Sequence, residues 1–139
     1  MNEHERWDHL VALDEELLVG GVILSEWCCF IVRESDIAFV HGAHLGAILT
    51  ALSGIETYLR AETKSKNKLC NLIDELILPE GLAEDIHRLR KYRNKWVHVD
   101  DPWNESINEF PERYEKGLEE MAHFAVRVLR RTIYENQMI

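Results

Sequence analysis

The residues best equipped for chemistry lie in one short stretch, Arg88–Pro102, which reads RLRKYRNKWVHVDDP. Arg93, Asn94 and His98 stand out within it. An imidazole titrates near neutral pH, so His98 can serve as acid or base. Arg93 is permanently charged, and its planar fork matches phosphate oxygens. With Asn94 these groups supply the parts for metal-free RNA cleavage. The 2′-hydroxyl attacks its own phosphorus, a base takes the hydroxyl proton, an acid protonates the leaving 5′-oxygen, and a cation meets the charge on the phosphorane. The bland reading of the same stretch is a polar helix end.

Spacing sets a condition on this chemistry. Asn94 and His98 are four apart and share a helix face. Arg93 and His98 are five apart and diverge by about 140° on a continuing helix. They converge only if the helix ends near His98 or if the long Arg93 side chain reaches around. Pro102 predicts such an ending, because the residue before proline disfavours helical backbone. A histidine in a last turn meets the negative end of the helix dipole, which favours imidazolium, and Asp100 and Asp101 act in the same sense.

The run Arg93-Asn94-Lys95-Trp96-Val97-His98, late on a helix in a small helical chain, resembles the HEPN superfamily, whose signature is an Arg, a polar residue and a His four to six positions beyond the Arg. The resemblance implies an all-α fold, an up-and-down bundle of four or five helices. It implies a metal-independent endoribonuclease of the toxin or defence and stress type, active as a homodimer with paired motifs lining one cleft. Two copies would supply both a base and an acid, where one chain has a single motif histidine. Arg93 would hold the scissile phosphate, Asn94 would orient it and His98 would carry the proton. The basic neighbours Arg90, Lys91 and Lys95 are the substrate-binding candidates. RNA or a nucleotide is the implied ligand, a cognate antitoxin an implied partner, and neither cofactor nor metal is called for. Toxins of the HEPN/MNT pairs carry a Tyr two residues past the His, where this chain has Asp100, so regulation by tyrosine modification is not expected. The rival reading is a non-catalytic module that binds nucleotide or RNA, or that dimerises. A purely structural motif is the third.

A length of 139 residues fits one domain, taken here as 1–139. The net charge of −9 opposes broad nucleic-acid binding. The charge is uneven, however. Arg60, Lys64, Lys66, Lys68, Arg88, Arg90, Lys91, Arg93 and Lys95 gather in the middle, whereas the N-terminal third and Asp100–Glu120 are acidic. A confined phosphate site fits this pattern, and so does a solvated helix face. Cys28, Cys29 and Cys70 form no CxxC pattern and read as buried free thiols of a cytoplasmic protein. The start, MNEHERWDHL, has no apolar core of a signal peptide.

The apolar periodicity organises the rest. Trp7, Leu10, Val11, Leu13, Leu17 and Leu18 predict a first helix from about Glu5, broken at Gly20-Gly21 or running on to Val32. A buried helix is read as ending near Arg33, with Ser35 or Asp36 capping the next. Ile37–Ile55 lacks charge, yet His41, His44, Thr50 and Ser53 argue for a buried helix over a membrane span. Gly42, Gly46, Thr50 and Gly54 then form a small-residue stripe for close helix approach. Glu56 pairs with Arg60 at i,i+4, with a supporting place near the motif as the weaker reading. His41 and His44 read as core or interface histidines, since zinc needs three or four ligands. Leu69–Ile77 predicts a short helix, stopped by Pro79-Glu80-Gly81. Leu82, Ile86 and Leu89 set the buried face of the motif helix, which brings Arg93 to the edge of the apolar stripe. Val99–Phe110 reads as a loop, with Trp103 plugging the bundle end in preference to covering the site or stacking on a base. Pro111 at N1 starts a last helix striped by Tyr114, Leu118, Met121, Ala122, Ala125, Val128, Leu129 and Ile133.

Overall fold

A computed structural model of the chain describes residues 1–103 and 112–139. Its elements are α1 (Glu3–Leu17), α2 (Glu26–Val40), α3 (His44–Thr63), the single turn α4 (Leu69–Leu72) running into a 3-10 turn (Ile73–Glu75), α5 (Leu82–Val97) and α6 (Glu112–Ile133). The described residues hold no strand, only one isolated antiparallel bridge between Gly21 and Met138. The protein is an all-α bundle. No helix among the described residues is long and apolar enough to cross a membrane.

The central element is α3, packed between α2 and α6. Ile48, Leu52, Ile55 and Leu59 from α3 are sealed against Phe39 of α2 and Val126, Leu129 and Ile133 of α6. A fully buried side chain of this size contributes about 1.5–3 kcal/mol by leaving water, so this seam dominates the stability. Gly54 sets its closeness. A Cβ there would lie 3.0 Å from Leu129 Cδ1 and 3.5 Å from Ile31 Cγ2. The rest of the small-residue stripe behaves otherwise: Gly42 lies outside α3 at φ +76°, and a Cβ on Gly46 would meet only ordinary contacts. Of the glycines in that stripe, Gly54 alone serves close approach.

The boundary between α2 and α3 differs from the expected one. Ser25, not Ser35 or Asp36, caps α2, its Oγ accepting from the Cys28 N–H at 3.1 Å. The helix then runs through Arg33 without a break. Ser35 is buried inside it and donates from Oγ to the Ala47 carbonyl of α3 at 3.2 Å. The uncharged run from Ile37 is split at His41–Ala43, where Gly42 turns the chain. His41 and His44 therefore do not share a helix. His41 is exposed, with Nδ1 3.0 Å from Glu3 Oε1, and His44 opens α3.

The first helix begins at Glu3, capped by the Asn2 side chain, which accepts from the Glu5 N–H at 2.8 Å. The linker after it contains the predicted glycine break and excludes a helix continuous to Val32. Gln137 holds this linker, accepting from the Val19 and Gly20 N–H groups and donating to the Leu17 carbonyl, each at 2.8 Å. Of the three cysteines, all free, only Cys28 is fully buried, and burial, with Cys29 adding to it, pushes its thiol up to about 11. Cys29 is exposed and Cys70 half-buried, so the expectation of three buried thiols fails for two.

Candidate functional site

The helix that carries the motif is anchored on one side only. Gly81, at φ +81°, turns the chain into α5, and Leu82, Ile86 and Leu89 bury the inner face as predicted. An ion pair between Asp85 and Arg131 Nη1 at 2.6 Å ties its first turns to α6. Further along, Trp96 packs edge-to-face on Tyr114 with ring centroids 5.5 Å apart. Among the described residues no carboxylate is ion-paired with Arg88, Arg90, Lys91, Arg93 or Lys95 of α5.

Arg93, Asn94 and His98 sit at the C-terminal end of this helix. Val97 is the last helical residue, and His98 is the cap, at φ −124° and ψ 65°, its N–H donating to the Asn94 carbonyl at 3.0 Å. The helix thus ends where the spacing argument required. Arg93 donates from Nε to Asn94 Oδ1 at 3.0 Å. That bond engages Nε, and neither Nη group makes a hydrogen bond among the described residues. Arg93 and Asn94 are half-buried and His98 is exposed. Among the described residues, no hydrogen bond joins Arg93 to His98 within the chain. The arrangement can therefore present a cation and an imidazole to a phosphate from outside, but one protomer holds one imidazole.

The three basic neighbours differ. Lys95 Nζ lies 5.0 Å from the Tyr114 ring centre, 5.3 Å from Tyr92 and 5.7 Å from Trp96, so its ammonium is held over aromatic faces. Lys91 is exposed. Arg90 is half-buried, and its Nε is enclosed without a hydrogen-bond partner among the described residues. Sequence reasoning counted Arg88 in the basic cluster but not among the binding candidates, and passed over His87, one turn before Lys91; the Arg88 guanidinium sits 4.6 Å from the centre of the Phe124 ring. The i,i+4 ladders Arg90–Asn94–His98 and His87–Lys91 would have placed His87 with the motif.

One expectation near the site is corrected and another is met. Trp103 does not plug the bundle: it is 90% exposed, its N–H donating to Asp101 Oδ1 at 3.2 Å. A turn directly after Pro102 carries it outward instead of back over the helix ends. Glu56 forms the predicted ion pair with Arg60, at 2.9 Å, and among the described residues no hydrogen bond or ion pair joins it to the motif. The remainder of the predicted loop to Phe110, and Pro111 with it, lies outside the described residues. The last-helix stripe is found, with Met121, Ala122, Ala125, Val128, Leu129 and Ile133 buried and Tyr114 and Leu118 partly so.

Comparison with known proteins yields no matching family model, no matching curated protein and no matching solved structure.

Proposed function

We propose that the chain is a HEPN-type, metal-independent endoribonuclease that works as a cytoplasmic homodimer, with Arg93, Asn94 and His98 of both copies facing one cleft. The observation that carries this reading is the open end of α5: an exposed imidazole, a guanidinium steadied through Nε, and no carboxylate paired with either among the described residues. Val97 and Val99, on either side of His98 in the chain, and Trp103 beyond them are all exposed, apolar surface that a second copy would cover.

In this mechanism the Nη groups of Arg93 bind the scissile phosphate while Asn94 fixes the guanidinium plane. One His98 takes the 2′-hydroxyl proton as the oxygen attacks phosphorus. The His98 of the second copy gives a proton to the departing 5′-oxygen. The products are a 2′,3′-cyclic phosphate and a 5′-hydroxyl. Cleavage should survive EDTA, and His98→Ala should abolish it while dimer and fold persist. Robust cutting by that variant overturns the assignment.

One observation favours the rival, a non-catalytic RNA- or nucleotide-binding module. The net charge of −9 opposes rapid capture of a polyanion. Under that reading no RNA is turned over, yet Arg93→Ala still weakens binding. An antitoxin would be the partner of either form, masking the same helix end.

A further inference from the structure

We infer that the depression along the earlier turns of α5 is a second phosphate subsite, which takes the backbone of a single-stranded RNA running along the helix toward His98. The inference rests on the ribonuclease reading for the identity of the strand, and on its own observations for the site.

The depression has a volume of about 630 Å³ and is lined by Glu84, His87, Arg88, Arg90 and Lys91. Four of these five can carry positive charge. Among the described residues no carboxylate is ion-paired with Arg88, Arg90 or Lys91. Arg90 is the telling member. Its Nε is enclosed and donates to nothing among the described residues, and a buried donor without an acceptor costs about 1–3 kcal/mol. A side-chain shift that opens this Nε to the depression would let an anion supply the acceptor. Arg88 is held in place by its stack on Phe124, so less side-chain freedom is lost when it meets a ligand.

Register connects this depression to the motif. His87, Lys91, Asn94 and His98 follow one another at helical intervals of three or four, so they fall on one face of α5. His87 and His98 are eleven residues apart, about 16 Å at 1.5 Å per residue. An occupant that touches both must be a chain of phosphates, not a mononucleotide. The track is one helix wide and the body around it is acidic, which fits a single strand better than a duplex. Glu84 in the same depression repels the strand and marks where the track stops.

The test uses the full chain in EDTA with a fluorescent 2′-O-methyl dodecauridylate, which cannot be cut because its attacking hydroxyl is blocked. Affinity is read by anisotropy over a KCl series, with the 2′-O-methyl dinucleotide UpU as a short comparator. Arg88→Gln and Lys91→Gln, both at exposed positions, should each weaken the dodecamer by at least about threefold. Each should lower its salt slope by about 0.7, the value for one phosphate contact on a single strand. The dinucleotide should lose less. Unchanged dodecamer affinity and slope in both variants would overturn the subsite while leaving the ribonuclease reading standing. Tripolyphosphate binding tighter than the dodecamer, and lost in the same variants, would also overturn it by assigning the depression to an inorganic ion. Cleavage of ordinary RNA that persists in His98→Ala would discard the ribonuclease reading and leave the subsite to its own binding data.

Discussion

Two arginine clusters occupy neighbouring helices and do opposite things. At the C-terminal end of α6 every arginine is spoken for. Arg127 forks onto Glu16 at 2.8 and 3.0 Å, Arg131 meets Asp85, and Arg130 binds Asp14 at 2.9 Å and both oxygens of Asp36 at 2.9 and 2.8 Å. Arg130 is only 3% exposed. Burial works to lower its pKa, and the hydrogen bond and charge of Asp36, with Asp14 beside it, outweigh that and raise it. Along α5 the reverse holds: among the described residues Arg88, Arg90 and Arg93 have no carboxylate partner. Charges of the first kind hold helices together. Charges of the second kind hold no carboxylate among the described residues, and the proposed function gives them a phosphate.

The largest expected effect lies in the first cluster. Arg130→Met leaves the mostly buried Asp36 and the more exposed Asp14 without their shared cation and should cost about 3 kcal/mol, read as a fall in the urea midpoint. Replacing Asp36 by Asn in the same chain should recover part of that loss, because the stranded charge is then gone. A full loss in the double variant would mean that packing, not charge, made Arg130 matter. Next comes Gly54→Ala, which brings a methyl to Leu129 at van der Waals overlap and should cost about 1–3 kcal/mol. A neutral result would show that α6 can slide away from α3.

A smaller effect is a pH dependence outside both clusters. His9 of α1 stacks edge-on against His123 of α6 at 4.8 Å, and Phe39 lies 4.9 Å from His123. Burial first, then the charges of Arg130 and Arg127, lowers the His9 pKa below its ordinary 6.5. Burial first, then His9, lowers that of His123, against a raising contribution from Glu119. Each imidazole therefore binds fewer protons folded than unfolded. This contribution is fully present above pH 6.5 and is lost as pH falls from there through the lowered native pKa. Urea midpoints should drop between pH 7.5 and 5.5, and His9→Phe should flatten the drop. An equal drop in the variant would place the titration elsewhere. Smallest of all, Arg127→Ala should barely move the midpoint, since its pair with Glu16 is exposed and screened.

Periodicity made much of the fold legible. The stripe of α6, the buried face of α5 and the Glu56–Arg60 pair are local patterns that repeat every three or four residues, and each is present. The α2–α3 boundary was not legible. Ser25 and Ser35 are equally good caps, and only the tertiary bond from Ser35 to Ala47 shows which one was used elsewhere. The roles of the arginines were hidden for a similar reason. Asp14 stands 116 residues before Arg130, so nothing near Arg130 announces that it is paired. Of the candidate site, the helix end at His98 was legible, because proline and helical spacing are local. Trp103 was misplaced because its size argues for burial, whereas its position depends on how the chain leaves α5.

The contrast between paired and unpaired arginines is tested most directly by Arg93→Met, measured for both urea midpoint and cleavage of RNA in EDTA. A midpoint within about 0.5 kcal/mol of wild type together with loss of cleavage is the predicted result. A midpoint that falls as far as that of Arg130→Met, or cleavage at the wild-type rate, would contradict the account.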